Sequence, residues 1–321
     1  NISETGNLLF TAENDTRSNK EIYGGIEKLE YMRDGLDPQY GFLPLQNKIL
    51  EIAVYVDELC KKNKIDYCLM GGSALGAKRH GGFIPWDDDL DIFMTPEQYE
   101  KFRNVFNRDA DREKYYLQEW GATDGMVTIS KVRMNHTTYI EESLKDWDIH
   151  HGVYIDIFIL HTCPNNKLQQ MHQCLWAKYV IMKGLAIRGY NRRGGFLGGV
   201  LKVMAHMPDR FLVKYGLKQV YKYKDKKTDY FCNFMGKAVF KNAIYKREFF
   251  EKTEYAPFEK TELRVPVKLH EFLTDRFGDY MKPPSPERIK WEQHAESWDI
   301  DKDFKDILTY CKDYKDEKRL I

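Results

Sequence analysis

The chain has 321 residues, a formal net charge of +1, 42% hydrophobic residues and 14% aromatic residues. This is a globular composition, sufficient for one large domain or two small ones, and near-neutrality argues against a general nucleic-acid binder. Six cysteines without a C-x-x-C pair predict neither a zinc site nor a disulfide framework. No apolar run reaches the roughly 18 residues that a membrane-spanning helix needs.

Regular elements are expected after residues 1–40, which are polar and which we predict to be a loosely held extension. The spacing of apolar residues then predicts an amphipathic helix at Leu45–Asn63, a short buried strand at Tyr67–Met70 and a short helix at Ser73–Lys78. An acidic strand at Trp86–Phe93 follows, and then a helix at Pro96–Asn107 that begins with a proline. Ser73 is expected at or near the N-cap of its helix.

Three further strands are predicted at Val127–Met134, Thr137–Glu141 and Val153–Ile159. Residues 166–224 are predicted to be mainly helical, and residues 244–277 mixed. The charged residues after Ser297 are expected to form an exposed helix. The fold is therefore predicted as mixed α/β (α+β), with a core at 41–164, a helical and mixed segment at 165–296, and a charged tail at 297–321.

The most informative segment, residues 86–93, reads Trp-Asp-Asp-Asp-Leu-Asp-Ile-Phe. Side chains alternate between the faces of a strand, so Asp87, Asp89 and Asp91 are expected on one face, whereas Asp88 points the other way and is assigned a structural role. Such a cluster favours a divalent metal site, because unshielded carboxylates repel each other. An Asp-rich turn that caps a helix is the alternative.

A fourth acid, Asp156, lies in the middle of the predicted strand Val-Tyr-Ile-Asp-Ile-Phe-Ile. Burial of a lone carboxylate among Ile and Phe side chains is costly without a cation or hydrogen-bond donors. If this strand neighbours the acidic one, Asp156 joins Asp89 and Asp91 in an oxygen-rich site that suits Mg²⁺ or Mn²⁺.

Gly71-Gly72-Ser73 lies between a predicted strand and a predicted helix. Its backbone N–H groups, the Ser73 hydroxyl and the helix N-terminus all suit a phosphate group. By itself this tripeptide is only weakly informative, because most Gly-Gly-Ser segments are simply turns.

The whole string from Leu69 to Ile92, Leu-Met-Gly-Gly-Ser-Ala-Leu-Gly-Ala-Lys-Arg-His-Gly-Gly-Phe-Ile-Pro-Trp-Asp-Asp-Asp-Leu-Asp-Ile, resembles the LicD family of phosphocholine transferases. Fukutin-related protein, a ribitol-phosphate transferase, is a more distant member. Weaker matches are Lys131-Val-Arg133, Gly152–Phe158 and Gly278–Pro284, and the resemblance spans about residues 44–294. It implies a core of the polymerase-β nucleotidyltransferase type.

The resemblance also implies an activity. A phosphorylated alcohol, most often phosphocholine from CDP-choline, is transferred to a hydroxyl of a cell-surface glycan such as lipopolysaccharide or teichoic acid, or to its lipid-linked precursor, and CMP is released. The implied catalytic residues are Asp89, Asp91 and Asp156, with Asp87 as an additional metal ligand. Gly72, Ser73, Arg79 and Lys131 are the candidates for binding the donor phosphates, although surface or packing roles for Arg79 and Lys131 stay open.

Two other parts of the pattern carry less weight. Arg288 and His294 fall where the family has a basic C-terminal stretch, but the match is loose and no role is assigned to them. A quaternary ammonium group needs aromatic faces; the aromatic residues near the site segments are equally typical of a core, so no cage residue is named.

Charge is unevenly distributed. Residues 178–227 contain 13 Lys and Arg residues against Asp209 and Asp225, a local net charge of +11. Residues 188–224 include the apolar run Phe196–Met204, which suggests contact with an anionic membrane surface; the alternatives are a solvated helical face or a lid over the donor site. With the absence of an evident anchor, this predicts a cytoplasmic protein that acts at the inner membrane face.

Two other functions remain open from sequence. A nucleotidyltransferase would attach a nucleoside monophosphate to the acceptor, and the two enzymes differ only in which phosphorus is attacked. A non-catalytic nucleotide- or glycan-binding module is the third alternative, although mere binding has no clear need for Asp89, Asp91 and Asp156 together.

Overall fold

The structure is a computed structural model, which describes residues 41–119, 129–141, 144–145, 149–187, 195–206, 210–236, 240–284 and 294–307. The described helices are α1 (Leu43–Lys62), α2 (Gly71–His80), α3 (Pro96–Asp109), α4 (Lys167–Ile187), α5 (Gly195–His206), α6 (Arg210–Val220), α7 (Leu269–Phe277) and α8 (Phe304–Ile307). The described strands are β1 (Cys68–Leu69), β2 (Asp91–Met94), β3 (Tyr115–Gln118), β4 (Ser130–Met134), β5 (Thr138–Glu141), β6 (Tyr154–Ile159), β7 (His161–Cys163), β8 (Tyr230–Cys232), β9 (Ile244–Lys246), β10 (Thr253–Phe258), β11 (Thr261–Pro266) and β12 (Ala295–Asp299).

The central sheet has five strands in the order β1-β2-β6-β4-β3. Strands β2 and β6 are parallel, whereas the other neighbouring pairs are antiparallel. The predicted mixed α/β architecture with a mixed sheet is therefore confirmed. Because β2 and β6 run side by side, Asp91 at the start of β2 lies beside Asp156 in the middle of β6.

Helix α1 packs against β4 and β6, and α3 packs against β2. Helix α1 places a stripe of fully buried residues toward the sheet, namely Leu45, Ile49, Ile52 and Cys60. The β10–β11 hairpin and α7 share the hydrophobic core of the sheet through Val265, Phe258 and Phe272. The apolar side chains between α4 and helices α5 and α6 form separate small clusters.

Several predicted elements are confirmed. Helix α1 covers nearly all of the predicted Leu45–Asn63, α3 extends the predicted Pro96 helix to Asp109, and β5 and β6 match their predicted strands. Thr95 caps α3, since its Oγ1 accepts a hydrogen bond from the Gln98 N–H at 3.3 Å. The extension at 1–40 and most of the tail lie outside the described residues, and the predicted domain boundaries stay a prediction.

The predicted strand at Trp86–Phe93 is wrong in its first half, because β2 begins only at Asp91. Residues 87–90 have no regular secondary structure. The buried Gln46 side chain donates to the carbonyl oxygens of Ile84 at 3.2 Å and Asp87 at 2.8 Å. These backbone acceptors are thereby satisfied without a neighbouring strand.

Two further predictions are corrected. Ser73 is not an N-cap: α2 begins at Gly71 after Met70, and the Ser73 Oγ accepts a hydrogen bond from the Asp91 N–H at 2.9 Å. Residues 297–299 are not helical either, because they belong to β12, which pairs with β5. A short helix, α8, follows at Phe304.

Candidate active site

The start of α2 forms one wall of the candidate site. Gly71 has a φ of +52°, a conformation that only glycine adopts without strain. A Cβ atom on Gly72 would lie 3.1 Å from the Asp87 Oδ2, and one on Gly71 would lie 3.9 Å from the Asp91 Oδ2. The two glycines therefore let the acids approach the first turn of the helix closely, and Ser73, also predicted to bind phosphate, follows immediately.

The acids of two strands meet beside this turn. Asp91 and Asp156 are register partners in the parallel pair β2–β6, and register partners place their side chains on the same face of a sheet. The prediction that the strand of Asp156 neighbours the strand of Asp91 is thus correct. The negative charge of Asp156 also raises the pKa of Asp89, so Asp89 belongs to the same electrostatic cluster.

The cluster is electrostatically strained. Partial burial, followed by the charges of Asp89, Asp88 and Asp91, holds the pKa of Asp87 well above its usual range. Desolvation raises the pKa of Asp89 to about 6, although His294 opposes the shift. Burial also raises the pKa of Asp156, against the influence of Lys131. A cation beside these carboxylates would remove this penalty.

Lys131, predicted to bind the donor diphosphate, is already engaged with an acid. Its Nζ lies 2.8 Å from the Asp156 Oδ1 and 3.5 Å from the Glu141 Oε2. It also lies 3.4 Å from the centroid of the Tyr154 ring, which therefore presents its face to an ammonium group. Burial would raise the pKa of Glu141, but Lys131 and Arg133 outweigh it and lower that pKa.

Arg79, the other predicted phosphate ligand, contacts the segment that follows α7. It lies in the last turn of α2, roughly 10 Å along the helix axis from Gly72. Its guanidinium is buried and donates to the Tyr280 carbonyl oxygen at 2.8 Å. This contact gives Arg79 a structural role between α2 and the segment after α7.

His294, like Arg288, has no role assigned from the sequence. Its backbone N–H and that of Ala295 donate to the Asp88 Oδ2 at 2.7 and 2.8 Å, and its Nδ1 lies 3.4 Å from the Asp89 Oδ2. Asp88 is fully buried, so its predicted structural role agrees with these contacts. The sequence around His294 does not predict its contact with Asp88, because this contact depends on the pairing of β12 with β5. Arg288 lies outside the described residues.

The donor set fits a divalent cation. Within the described ranges, the carboxylates of Asp88 and Asp89 and a ring nitrogen of His294 form the one group of three metal-binding side chains whose ligand atoms lie within 4.8 Å of one another. Among the described residues, the predicted ligands Asp87, Asp91 and Asp156 form no group of three within that distance. Asp87 and Asp156 do interact electrostatically with Asp89. Clustered carboxylate oxygens suit Mg²⁺, and an added imidazole is compatible with Mn²⁺.

A cavity of about 720 Å³ lies along the end of β6, between the start of α3 and the segments that follow β7. Two of its lining residues, His161 and Asn233, are buried and carry a polar atom, Nδ1 and Oδ1 respectively, with no hydrogen-bond partner among the described residues. Burial lowers the pKa of His161 to about 3, so its ring is neutral near pH 7. Both unpaired atoms are enclosed by the protein, so they are desolvated next to the cavity and not exposed within it.

Comparisons with known proteins cover the segments that form this site. Residues 64–183 match the LicD/FKTN/FKRP nucleotidyltransferase domain. The chain is also 28% identical over 269 residues to the lipopolysaccharide cholinephosphotransferase LicD of Haemophilus influenzae. The aligned region covers 75% of this chain and 91% of that protein. The chain carries a LicD-family domain. All eight predicted site residues lie inside this LicD-family domain, whereas His294 lies outside it.

A second similarity is shorter. The ribitol 5-phosphate transferase FKRP of Homo sapiens is 32% identical over 89 residues, 27% of this chain and 18% of that protein. LicD and FKRP are therefore similar to this chain to very different extents, and both are named as transferases of phosphorylated alcohols.

Proposed function

We propose that the chain transfers a phosphorylated alcohol from a CDP-linked donor, with CDP-choline as the expected donor, to a hydroxyl of a cell-surface glycan or its lipid-linked precursor. The observation that carries this proposal is the pairing of Asp91 with Asp156 on parallel strands beside Gly71 and Gly72. Similarity to LicD along 91% of that protein supports the choice of phosphocholine. A core of the polymerase-β nucleotidyltransferase type is part of the proposal.

In the proposed reaction, the acceptor hydroxyl oxygen forms a bond to the phosphorus that carries choline. The bond from that phosphorus to the bridging oxygen of CMP breaks, and CMP leaves with this oxygen. Asp156 is the proposed acceptor of the hydroxyl proton, because its carboxylate lies beside Asp91 in the acid cluster next to the start of α2. The N–H groups at the start of α2 and the Ser73 hydroxyl are the proposed contacts to the donor phosphates.

We propose Mg²⁺ or Mn²⁺ as the cofactor, held by Asp89, Asp91 and Asp156 with Asp87 beside them. When bound, such an ion neutralises the charge of a diphosphate and its leaving group. Lys131 then contributes by keeping Asp156 oriented. No described helix is both long and apolar enough to cross a bilayer, and action at the cytoplasmic face of the membrane stays a prediction.

The proposal is tested by incubating the protein with CDP-choline, Mg²⁺ and a choline-free glycan acceptor, followed by chromatography of nucleotides and mass analysis of the glycan. Free CMP with phosphocholine on the glycan supports the proposal. CDP-ribitol and CDP-glycerol, supplied in parallel, identify the alcohol that the enzyme prefers.

The matched variants are Asp89→Asn and Asp275→Asn, the latter an exposed acid on α7. Asp89→Asn is expected to reduce transfer by roughly 10²-fold or more, because charge neutralisation dominates phosphoryl transfer, whereas Asp275→Asn retains full activity. CMP attached to the glycan instead of phosphocholine would establish the nucleotidyltransferase alternative. Full activity of Asp89→Asn would move the site elsewhere.

A further inference from the structure

Helix α5 is apolar on two opposite faces. Leu201 and Met204 are buried and form a small cluster with Ala186 of α4. On the other side, Phe196 and Val203 have 91% and 65% of their surface exposed. The inner face of α5 is covered by α4, whereas its outer face leaves these two large apolar side chains in water. A helix face of this kind can be buried at a lipid surface, with the polar residues around it in contact with the headgroups.

The dimensions of α5 exclude one arrangement. Its 12 residues give a length of roughly 18 Å, whereas the hydrocarbon core of a bilayer is about 30 Å thick. A helix of this length cannot span a bilayer. It can lie in the plane of the interface with its outer side chains among the lipid headgroups and upper acyl chains.

The charges around α5 indicate which surface it meets. Neither α5 nor α6 contains an acidic residue, and the lysines of the two helices, Lys202, Lys214 and Lys218, are exposed. The sequence of 178–227 has a net charge of +11. A second copy of this chain would bring the same positive charge to the interface and be repelled, whereas anionic headgroups are attracted to it.

We propose that the outer face of α5, with Phe196 and Val203 at its centre, docks on an anionic lipid bilayer, with the lysines of α5 and α6 contacting the headgroups. This goes beyond the proposed function and does not depend on it. A bilayer contact would hold the enzyme where a lipid-linked acceptor is presented, yet vesicle binding is measured without donor or acceptor.

The experiment is flotation of the full chain with vesicles of phosphatidylcholine alone and of phosphatidylcholine mixed with phosphatidylglycerol, at low and at high salt. The wild-type protein is expected to float with the anionic vesicles at low salt, and to bind less at high salt because salt screens the lysines. The wild-type protein is expected to show little binding to the neutral vesicles.

Two double variants separate α5 from exposed apolar residues in general. Phe196→Ser with Val203→Ser removes the proposed contact, and both positions are exposed, so the fold has no need of them. Leu168→Ser with Met171→Ser is the control, because these α4 residues are 76% and 50% exposed and lie at the end of α4 remote from Ala186. The first is expected to weaken vesicle binding by about tenfold or more, and the second to bind like wild type.

Three results overturn the proposal. The first is a wild-type protein that stays unbound to anionic vesicles at low salt. The second is equal binding of the α5 variant and wild type. The third is a lipid-free dimer, detected by sedimentation velocity, which the α5 variant converts to a monomer, since that would assign the face to a second copy of the chain.

Discussion

Lys131 and Asp156 are register partners on the antiparallel strands β4 and β6, and the Lys131 Nζ lies 2.8 Å from the Asp156 Oδ1. Both side chains are almost completely buried. The ammonium group rests on the Tyr154 ring, so it cannot swing away from the carboxylate without losing that contact too. The pair thereby fixes the position of Asp156 within the acid cluster.

Lys131→Met is therefore expected to destabilise the protein by about 3–5 kcal/mol, because it leaves the Asp156 carboxylate buried and unpaired. Urea unfolding measures the change. Asp156→Asn in the same background is expected to restore most of this stability, because the uncompensated charge is gone, while transfer activity remains lost.

Lys114→Met is the matched control, since Lys114 forms an ion pair with Glu51 at the surface. Its expected cost is below about 1 kcal/mol, because solvent screens exposed pairs. If the double variant of Lys131 and Asp156 were as unstable as Lys131→Met alone, the two residues would not be energetically coupled and Lys131 would act through other contacts.

Gly72→Ala tests the closeness of the acids to α2. The new Cβ would lie 3.1 Å from the Asp87 Oδ2, so the carboxylate must shift by a few tenths of an ångström. We expect at least a roughly tenfold loss of transfer rate, since small misplacements at a reacting centre are costly, with little change in thermal stability.

The control for this substitution is Gly199→Ala in α5, where a Cβ meets nothing within 4 Å. It is expected to leave the transfer rate unchanged and to stabilise the helix by about 0.5–1 kcal/mol, because alanine loses less conformational freedom than glycine on folding. Equal rates for Gly72→Ala and wild type would remove Gly72 from the site.

Local patterns were sufficient for much of this fold. Helix α1, strand β6 and the start of α3 at Pro96 are predictable because apolar periodicity and a Thr-Pro start act over a few residues. The adjacency of β2 and β6 was also predicted from sequence. Each strand carries an acid, Asp91 or Asp156, and burial of these carboxylates is costly unless they share a cation or find hydrogen-bond donors.

Contacts between distant segments were not predictable. The acidic strand was expected to begin at Trp86. Instead, the Gln46 side chain of α1 donates to the carbonyl oxygens of Ile84 and Asp87, which in a sheet would accept from a neighbouring strand. His294 reaches Asp88 only because β12 pairs with β5. Arg79 is a further example. It follows the candidate phosphate-binding segment in the sequence, but its guanidinium donates a hydrogen bond to the Tyr280 carbonyl oxygen.

Asn233, which lines the cavity beside β6, is predicted to lower the stability of the fold. Its Oδ1 is buried without a hydrogen-bond partner among the described residues. Asn233→Leu removes this desolvated acceptor at similar volume and is expected to raise the free energy of unfolding by about 1 kcal/mol, as measured by urea titration.

Asn135→Leu provides the comparison, because the Asn135 Nδ2 donates to the carbonyl oxygens of Arg112 at 3.1 Å and Glu113 at 2.9 Å. Its loss is expected to lower stability by about 1 kcal/mol. A loss of stability in Asn233→Leu as large as that in Asn135→Leu would mean that the Asn233 Oδ1 has a hydrogen-bond partner in solution.

The last prediction concerns pH and His150. Burial, with a further contribution from the Arg133 charge, lowers the pKa of His150 to about 3. The contacts agree with a neutral ring: the Gly152 N–H donates to the His150 Nδ1 at 3.0 Å, and the His150 Nε2 lies 2.9 Å from the Asn135 Oδ1. Protonation of Nδ1 would replace the acceptor of the Gly152 bond by a donor.

Because the folded pKa lies below the unfolded value of about 6.5, the unfolded chain binds the extra proton between these two pH values. The stability that His150 contributes is therefore complete above pH 6.5 and falls by up to about 1.4 kcal/mol per pH unit toward pH 3. Urea unfolding of wild type and His150→Gln from pH 7 to pH 5 isolates this contribution, because the acid cluster titrates in both proteins and cancels in the difference. The difference is expected to shrink by roughly 2 kcal/mol by pH 5. A constant difference, with an NMR titration of the folded His150 ring near pH 6.5, would show that the ring is hydrated and that its bond to Gly152 does not hold it neutral.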